Sequence, residues 1–451
     1  MKTRLAFGVL WLASARLISQ DEEASRITTL MQRAVVHHGS ATVDVSADGR
    51  FVAFESAAAL VPADRNRSVD IYVLERSTGN VTLESVVTSG TVGDGTSHPR
   101  LSADGRYLVF TSCAHNLAGN QPMATVVPQV LLRDRRAGTT TLVSRNLAGS
   151  PANEVSGHAD ISDDGGTVVF QSAATDLVDE EDRNGPRSDV YAFDVRSHRI
   201  ERVSVDANGV QQTAGSSFAP TVSGDGRSVV FVSSVPLDGV FNRRRSRREA
   251  EGVNHVYLRN LHSGFVGRVS HAPAGDDADG PSFHPAVSGD GRLVAFVSRA
   301  SNLVPRDRNR VSDVYLHDVR TGQTTLVSRS SRGGSATGPS HHPALSADGR
   351  FVAFVSEAAD LACASRCPNR LLDLNLVADV YVFDTLTHDV ARVSGARARS
   401  PWWEASTGPS LDAAGRVIAF SSRHPIDPSD VKHDFDLFVE EVTQERVSGS
   451  S

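Results

Sequence analysis

The stretch SADGRFVAFVS, residues 346–356, decides the fold. An Asp-Gly pair supplies the positive-φ geometry of a tight hairpin turn. The run FVAFVS after it is rich in β-branched and aromatic residues and reads as a half-buried or buried strand. The segment PALS (343–346) before it is the short partner strand.

The same words recur along the chain as SADGRFVAF (46–54), SADGRYLVF (102–110), SDDGGTVVF (162–170), SGDGRSVVF (223–231), SGDGRLVAF (288–296), SADGRFVAF (346–354) and DAAGRVIAF (412–420). Their turn glycines are spaced 56, 60, 61, 65, 58 and 66 residues apart. A phenylalanine follows each glycine by five positions: Phe54, Phe110, Phe170, Phe231, Phe296, Phe354 and Phe420. A second word follows each copy, typified by DVYLHD (313–318) and DVYVFD (379–384), and five of the six tyrosines occupy its third position. A third word, TLVSR or RVS, closes most copies. Each unit therefore reads as a four-stranded antiparallel meander. One such sheet has two apolar faces and two edges and is not stable alone. Repeats of this period stack around an axis and bury face against face. The expectation is an all-β, seven-bladed β-propeller with almost no helix. Its blades start near residues 42, 98, 158, 219, 284, 342 and 408. ITTLMQRA (27–34) resembles the later fourth strands, and it is expected to dock on the seventh blade and tie the ring shut.

Composition narrows the function. The chain has 451 residues, 39% hydrophobic and 22% charged, with a net charge of -7. A pI near 6.1 argues against general nucleic-acid binding, which needs a basic footprint. The one basic run, Arg243, Arg244, Arg245, Arg247 and Arg248, reads as a solvated loop. Residues 1–20 look like a secretory signal: Lys2 and Arg4, an apolar run over 5–13, then Ala13-Ser14-Ala15, with cleavage expected after Ala15. Residues 21–451 would then be the propeller, with no transmembrane segment. Export permits a disulfide, and Cys363 and Cys367 would close a small loop, leaving Cys113 over.

The pattern S-x-DGR-x-V-x-F, D-V-Y-x-x-D, T-G-x-x-x-x-V-S resembles the TolB-like, WD-like propeller repeats of bacterial periplasmic and secreted proteins, over about residues 27–448. The resemblance implies a periplasmic or secreted protein of a family used mainly for binding. TolB itself has a further N-terminal domain, for which residues 16–41 leave no room. Hydrolase domains accompany similar propellers in prolyl oligopeptidase relatives, but no G-x-S-x-G elbow occurs here.

Residues at equivalent repeat positions sit on a ring. One position holds Thr42, His98, His158, Ala219, His284, His342 and Gly408. It lies on the innermost strand, near one mouth of the channel, where imidazoles could take a transition metal or an anionic ligand. Oligogalacturonate lyases resemble this in part, with a metal held by histidines in a seven-bladed ring, although their other motifs are unmatched. A second pattern, DRNRSVD (64–70) and DRNRVSD (307–313), spaces Asp64, Asn66, Ser68 and Asp70 like calcium-loop ligands, with Asp307, Asn309 and Asp313 as a partial copy. The glycine at position 6 and the glutamate at 12 are missing, so backbone-capping turns compete with calcium. Trp402 and Trp403, in SPWWEAS, are candidates for a protein or sugar contact. The leading expectation is an exported, monomeric, non-enzymatic module that binds a protein or peptide. A metal-dependent enzyme or ligand binder at the histidine mouth, and a calcium-stabilised surface protein, are the alternatives.

Overall fold

In a computed structural model the described residues are 12–13, 27–30, 32–33, 42–66, 68–86, 96–113, 127–238, 253–330, 333–361, 377–394, 406–423 and 435–444. They form a seven-bladed β-propeller of four-stranded antiparallel sheets. Blade 5 is typical, with strands Ser282–Val287, Leu293–Ser298, Asp313–Asp318 and Gln323–Leu326 from the axis outward. The one helical element among the described residues is a short turn, Pro273–Gly275. The candidate disulfide Cys363/Cys367, the arginine run and Trp402/Trp403 lie outside the described residues.

The repeated phenylalanine and tyrosine are cross-strand partners. Phe296 pairs with Tyr315 and Phe354 with Tyr381, and their rings stack at 5.7 and 5.8 Å. Such pairs are the unit of sheet stabilisation, and they fix the register of second strand on third. Apolar clusters then fill the gaps between blades. One joins Ile71 of blade 1 to Phe110 of blade 2, and another joins Val52 of blade 1 to Val417 of blade 7, so the packing runs around the ring without a break.

Closure follows the expected route. Ile27–Leu30 is the outermost strand of blade 7, antiparallel to Asp436–Gln444, with Ile27 opposite Gln444 and Leu30 opposite Glu441. Leu12–Ala13 makes a short pairing with Gln32–Arg33. Two local readings need correction. Inner strands start earlier than the histidines suggested, at Ser156 and Ser340 for example, because these serines bond across to Ser172 and Ser356 at 2.8 Å. The Val-Ser of the third word also lies beyond the fourth strand. In blade 5 that strand ends at Leu326, and Ser328 turns inward to donate to Asp313 at 2.6 Å while accepting the Val314 N–H at 3.0 Å. Burial of the repeated acid is thus matched by a fixed donor, as buried polar groups require.

Candidate functional site: the histidine mouth of the central channel

The inner strands run in one direction along the axis, so their two ends form the two mouths of a channel of about 460 Å³. That lies within the range of ligand pockets. The end after each inner strand carries the residue between Ser and Asp of the turn, Ala47, Ala103, Asp163, Gly224, Gly289 and Ala347, and in blade 7 Ala413, between Asp412 and Ala414. Backbone hydrogen bonds stitch neighbouring blades there. They include Asp163 N–H to the Gly224 carbonyl (3.0 Å), Gly289 N–H to Ala347 (2.9 Å) and Ala413 N–H to Ala47 (3.0 Å). Six of the seven are alanine or glycine, as the close approach of the backbones requires, and Asp163 is the exception. A Cβ added to Gly224 would lie 2.1 Å from Asp163 Oδ2 and 3.1 Å from the Gly289 Cα.

The opposite mouth carries Thr42, His98, His158, Ala219, His284, His342 and Gly408. Six of these sit in the left-handed region, with φ of 57° at His98, 47° at His158 and His284, 50° at Ala219 and His342, and 63° at Gly408. The inner-strand register slips at each of these positions, as at Ser97/Arg100 and Phe283/Ala286. Each is therefore a β-bulge, a device that re-aims a side chain. Histidine tolerates this conformation better than most residues, but it remains costly for any side chain with a Cβ.

The four imidazoles line the channel as two pairs. His98 and His158 have ring centroids 4.7 Å apart, and His284 and His342 4.8 Å apart. His158, His284 and His342 are exposed and His98 is half-buried. Solvent reaches the rings, yet the concave wall displaces enough water to disfavour their charged form. Burial pushes all four below the ordinary imidazole range, and His342 falls to about 4, aided by His284 and His341. At neutral pH the mouth presents neutral rings. Among the described residues no group of three His, Cys, Asp or Glu side chains is arranged to hold a metal ion.

The polar layer beneath was missed in the sequence. Two residues after each mouth position stand Asp44, Arg100, Asp160, Thr221, Ala286, Ala344 and Ser410, all lining the channel. Carrying the repeat comparison two positions further along the inner strand would have found this arc. Asp44 accepts the Leu101 N–H at 2.7 Å and the Ser410 hydroxyl at 3.0 Å. Asp160 accepts the Val222 N–H at 2.9 Å and the Thr221 hydroxyl at 2.7 Å. These side chains tie one inner strand to the next, where no ladder bonds exist. Burial raises Asp44 to about 6.

The acidic loops act as turn caps. Asp64 Oδ1 accepts the Asn66 N–H at 3.2 Å, Asn66 Oδ1 accepts the Ser68 N–H at 2.9 Å, and the Tyr72 hydroxyl donates to Asp64. Asp70 accepts the Ser85 hydroxyl at 2.6 Å. In blade 5 the Tyr315 hydroxyl donates to Asp307, and Asn309 Nδ2 donates to Asp313 at 2.7 Å. Blade 3 shows what the arrangement accommodates. Gln211 Nε2 donates to Asp182, Asn184 and Asp189 at 3.0, 2.9 and 2.6 Å, so a side-chain amide fills the centre of the oxygen cluster.

No protein-family model and no curated protein matches the chain. Solved structures do. The β-propeller domain of the Trilobed protease from Pyrococcus furiosus, described as having an open velcro topology, aligns at TM-score 0.52 and 10% identity, over 90% of this chain and 94% of that one. Oligogalacturonate lyase from Vibrio parahaemolyticus aligns at 0.50 and 14%, over 93% and 97%. Putative TolB from Agrobacterium tumefaciens aligns at 0.39 and 18%, over 64% and 79%. The chain is a seven-bladed propeller with TolB proteins among its structural neighbours. At these identities the likeness is one of fold, and fold does not carry function with it.

Proposed function

We propose that this protein is an exported, non-enzymatic propeller that binds a protein or peptide at the histidine-lined mouth of its channel. The asymmetry of the channel supports this reading. One end is a collar of alanine and glycine with the single acid Asp163, stitched by backbone hydrogen bonds between blades, whereas the other sets four imidazoles on bulged, conformationally costly positions. Such outliers persist where the surrounding fold enforces them, and they cluster at binding sites. The signal-like start at residues 1–20 supports export. Among the described residues, no helix is long and apolar enough to cross a membrane.

The test is a selection of random peptides on the purified protein, followed by titration of enriched sequences into wild type and a plugged variant, His284→Trp/His342→Trp. Binding that drops at least tenfold on plugging supports the mouth as the site. Failure to enrich any sequence, or equal affinity for the plugged protein, overturns it.

A further inference from the structure

The channel wall differs in what its charges are free to do. Asp44 has both carboxylate oxygens engaged by blade 2 and blade 7. Asp160 has Oδ2 held by blade 4. Asp163 lies in the collar, where Gly224 packs against its carboxylate. Arg100 is different. Its side chain is 41% exposed in the channel, and Nε stands 4.0 Å from Asp160 Oδ1, at the outer limit of an ion pair. Among the described residues its one hydrogen bond is from Nη1 to its own neighbour, the Pro99 carbonyl, at 3.1 Å. The rest of a planar five-donor fork opens to the channel, in the geometry that matches a carboxylate two-point fashion.

Arg100 also sits directly beneath the first imidazole pair. It follows His98 by two residues on one inner strand, and its charge acts on both His98 and His158. Ser97 Oγ lies 3.0 Å from His98 Nδ1, which occupies one ring nitrogen and leaves Nε2 for another partner. Blades 5 and 6 offer no counterpart, since Ala286 and Ala344 hold the positions equivalent to Arg100. The polar half of the mouth therefore combines one exposed guanidinium with two imidazoles able to donate an N–H. The other half combines two imidazoles with alanine methyls.

Resting on the reading that a peptide enters by this mouth, we propose that Arg100, with His98 and His158 above it, binds a peptide carboxylate, while His284 and His342 line the apolar side of the same entrance. Asp44 and Asp160 tie neighbouring inner strands together at the level of Arg100 and hold the wall in register.

The experiment titrates three probes into protein with isotope-labelled histidines, read by NMR of the imidazoles. The probes are acetyl-Ala-Ala-Ala as free acid, the same peptide as C-terminal amide, and acetyl-Ala-Asp-Ala amide. The expected result is movement of the His98 and His158 resonances with the free acid, at an affinity at least tenfold above that of the trialanine amide. The aspartate peptide separates the sources. Saturation only by the free acid assigns a C-terminal carboxylate, and saturation by both assigns any peptide carboxylate. Arg100→Gln abolishes the preference for acid over amide and Arg100→Lys keeps part of it, with the remaining histidine signals reporting an intact fold in each. Equal shifts with acid and amide, or an unchanged preference in Arg100→Gln, would overturn the proposal. Selected peptides that still lose binding on plugging would show that the mouth reading survives that failure.

Discussion

His284 and His342, on adjacent inner strands, hold their rings 4.8 Å apart. Each occupies the left-handed bulge of its own strand, so the backbone turns both side chains toward the same mouth. Two cations at this distance repel, and each ring is depressed further by its charged or chargeable neighbours. His342 falls to about 4, first through burial, then through His284 and His341. The expected result of His284→Asn is a rise of the His342 pKa toward its ordinary value of about 6.5. Proton NMR titration of the imidazole signals measures it. An unchanged His342 titration would mean that His284 does not contribute, leaving burial and His341 to set the depression.

Most of the fold was legible in the sequence because the structural residues recur. Gly349 takes a φ of 72° that the turn needs, Ser346 donates to Asp348 at 2.6 Å and accepts the Phe351 N–H at 2.9 Å, and Phe354 stacks on Tyr381. Each contact is local and present in most blades, so seven copies reveal it. The channel mouth was half legible. The histidines recur, but their left-handed conformation does not show in the residue types of a His-Pro step. The layer of Asp44, Arg100 and Asp160 was hidden because its position holds five different residue types in seven blades, and the Asp160 partners Thr221 and Val222 come from the next blade, 61 and 62 residues away. The acidic loops were legible as turns. Gln211 at the centre of one oxygen cluster was not, since its partners lie 22 to 29 residues upstream.

Ala219 has a φ of 50° and occupies, in blade 4, the bulge that Gly408 fills in blade 7. An L-residue in this region costs roughly 1–2 kcal/mol, and glycine does not incur that cost. Glycine also gains more freedom in the unfolded chain, which offsets part of the benefit. Ala219→Gly is therefore expected to stabilise the protein by up to about 1 kcal/mol, read as a higher urea midpoint at unchanged slope. A lower midpoint would show that the Ala219 methyl packs to more effect than its backbone strain suggests.

His255 and His317 are 7% and 4% exposed, and burial lowers both from 6.5 to about 4. The native state thus refuses a proton that the unfolded chain accepts. Stability is intact above pH 6.5 and is lost as pH falls toward 4, by roughly 3 kcal/mol per group. Asp44 and Asp313, raised to about 6 and about 7, act with the opposite sign and gain stability over part of the same range. The net slope is therefore less informative than a difference between variants. His317→Gln keeps a polar partner for Thr324, whose Oγ1 lies 3.0 Å from the ring. Its stability relative to wild type is expected to rise as pH drops from 7 to 4. Urea unfolding at both pH values checks this, and parallel pH profiles would rule out a proton-linked role for His317.

The closing strand gives the last prediction. Ile27–Leu30 covers the outer edge of the last four residues of Asp436–Gln444, from Glu441 to Gln444, whose outward backbone groups would otherwise be unpaired. An open edge is a template for pairing with another chain. The ladder contributes a few hydrogen bonds at roughly 0.5–1.5 kcal/mol each. It also fixes blade 7 at the junction where Val417 and Val439 pack against Val52 and Leu74 of blade 1. A protein starting at residue 34 should therefore melt several degrees below one starting at residue 21, and should elute as dimers or larger species where the longer form elutes as a monomer. Calorimetry and size-exclusion chromatography read the two effects separately. Identical melting of the two proteins would show that the apolar packing between blades 7 and 1 closes the ring without the strand.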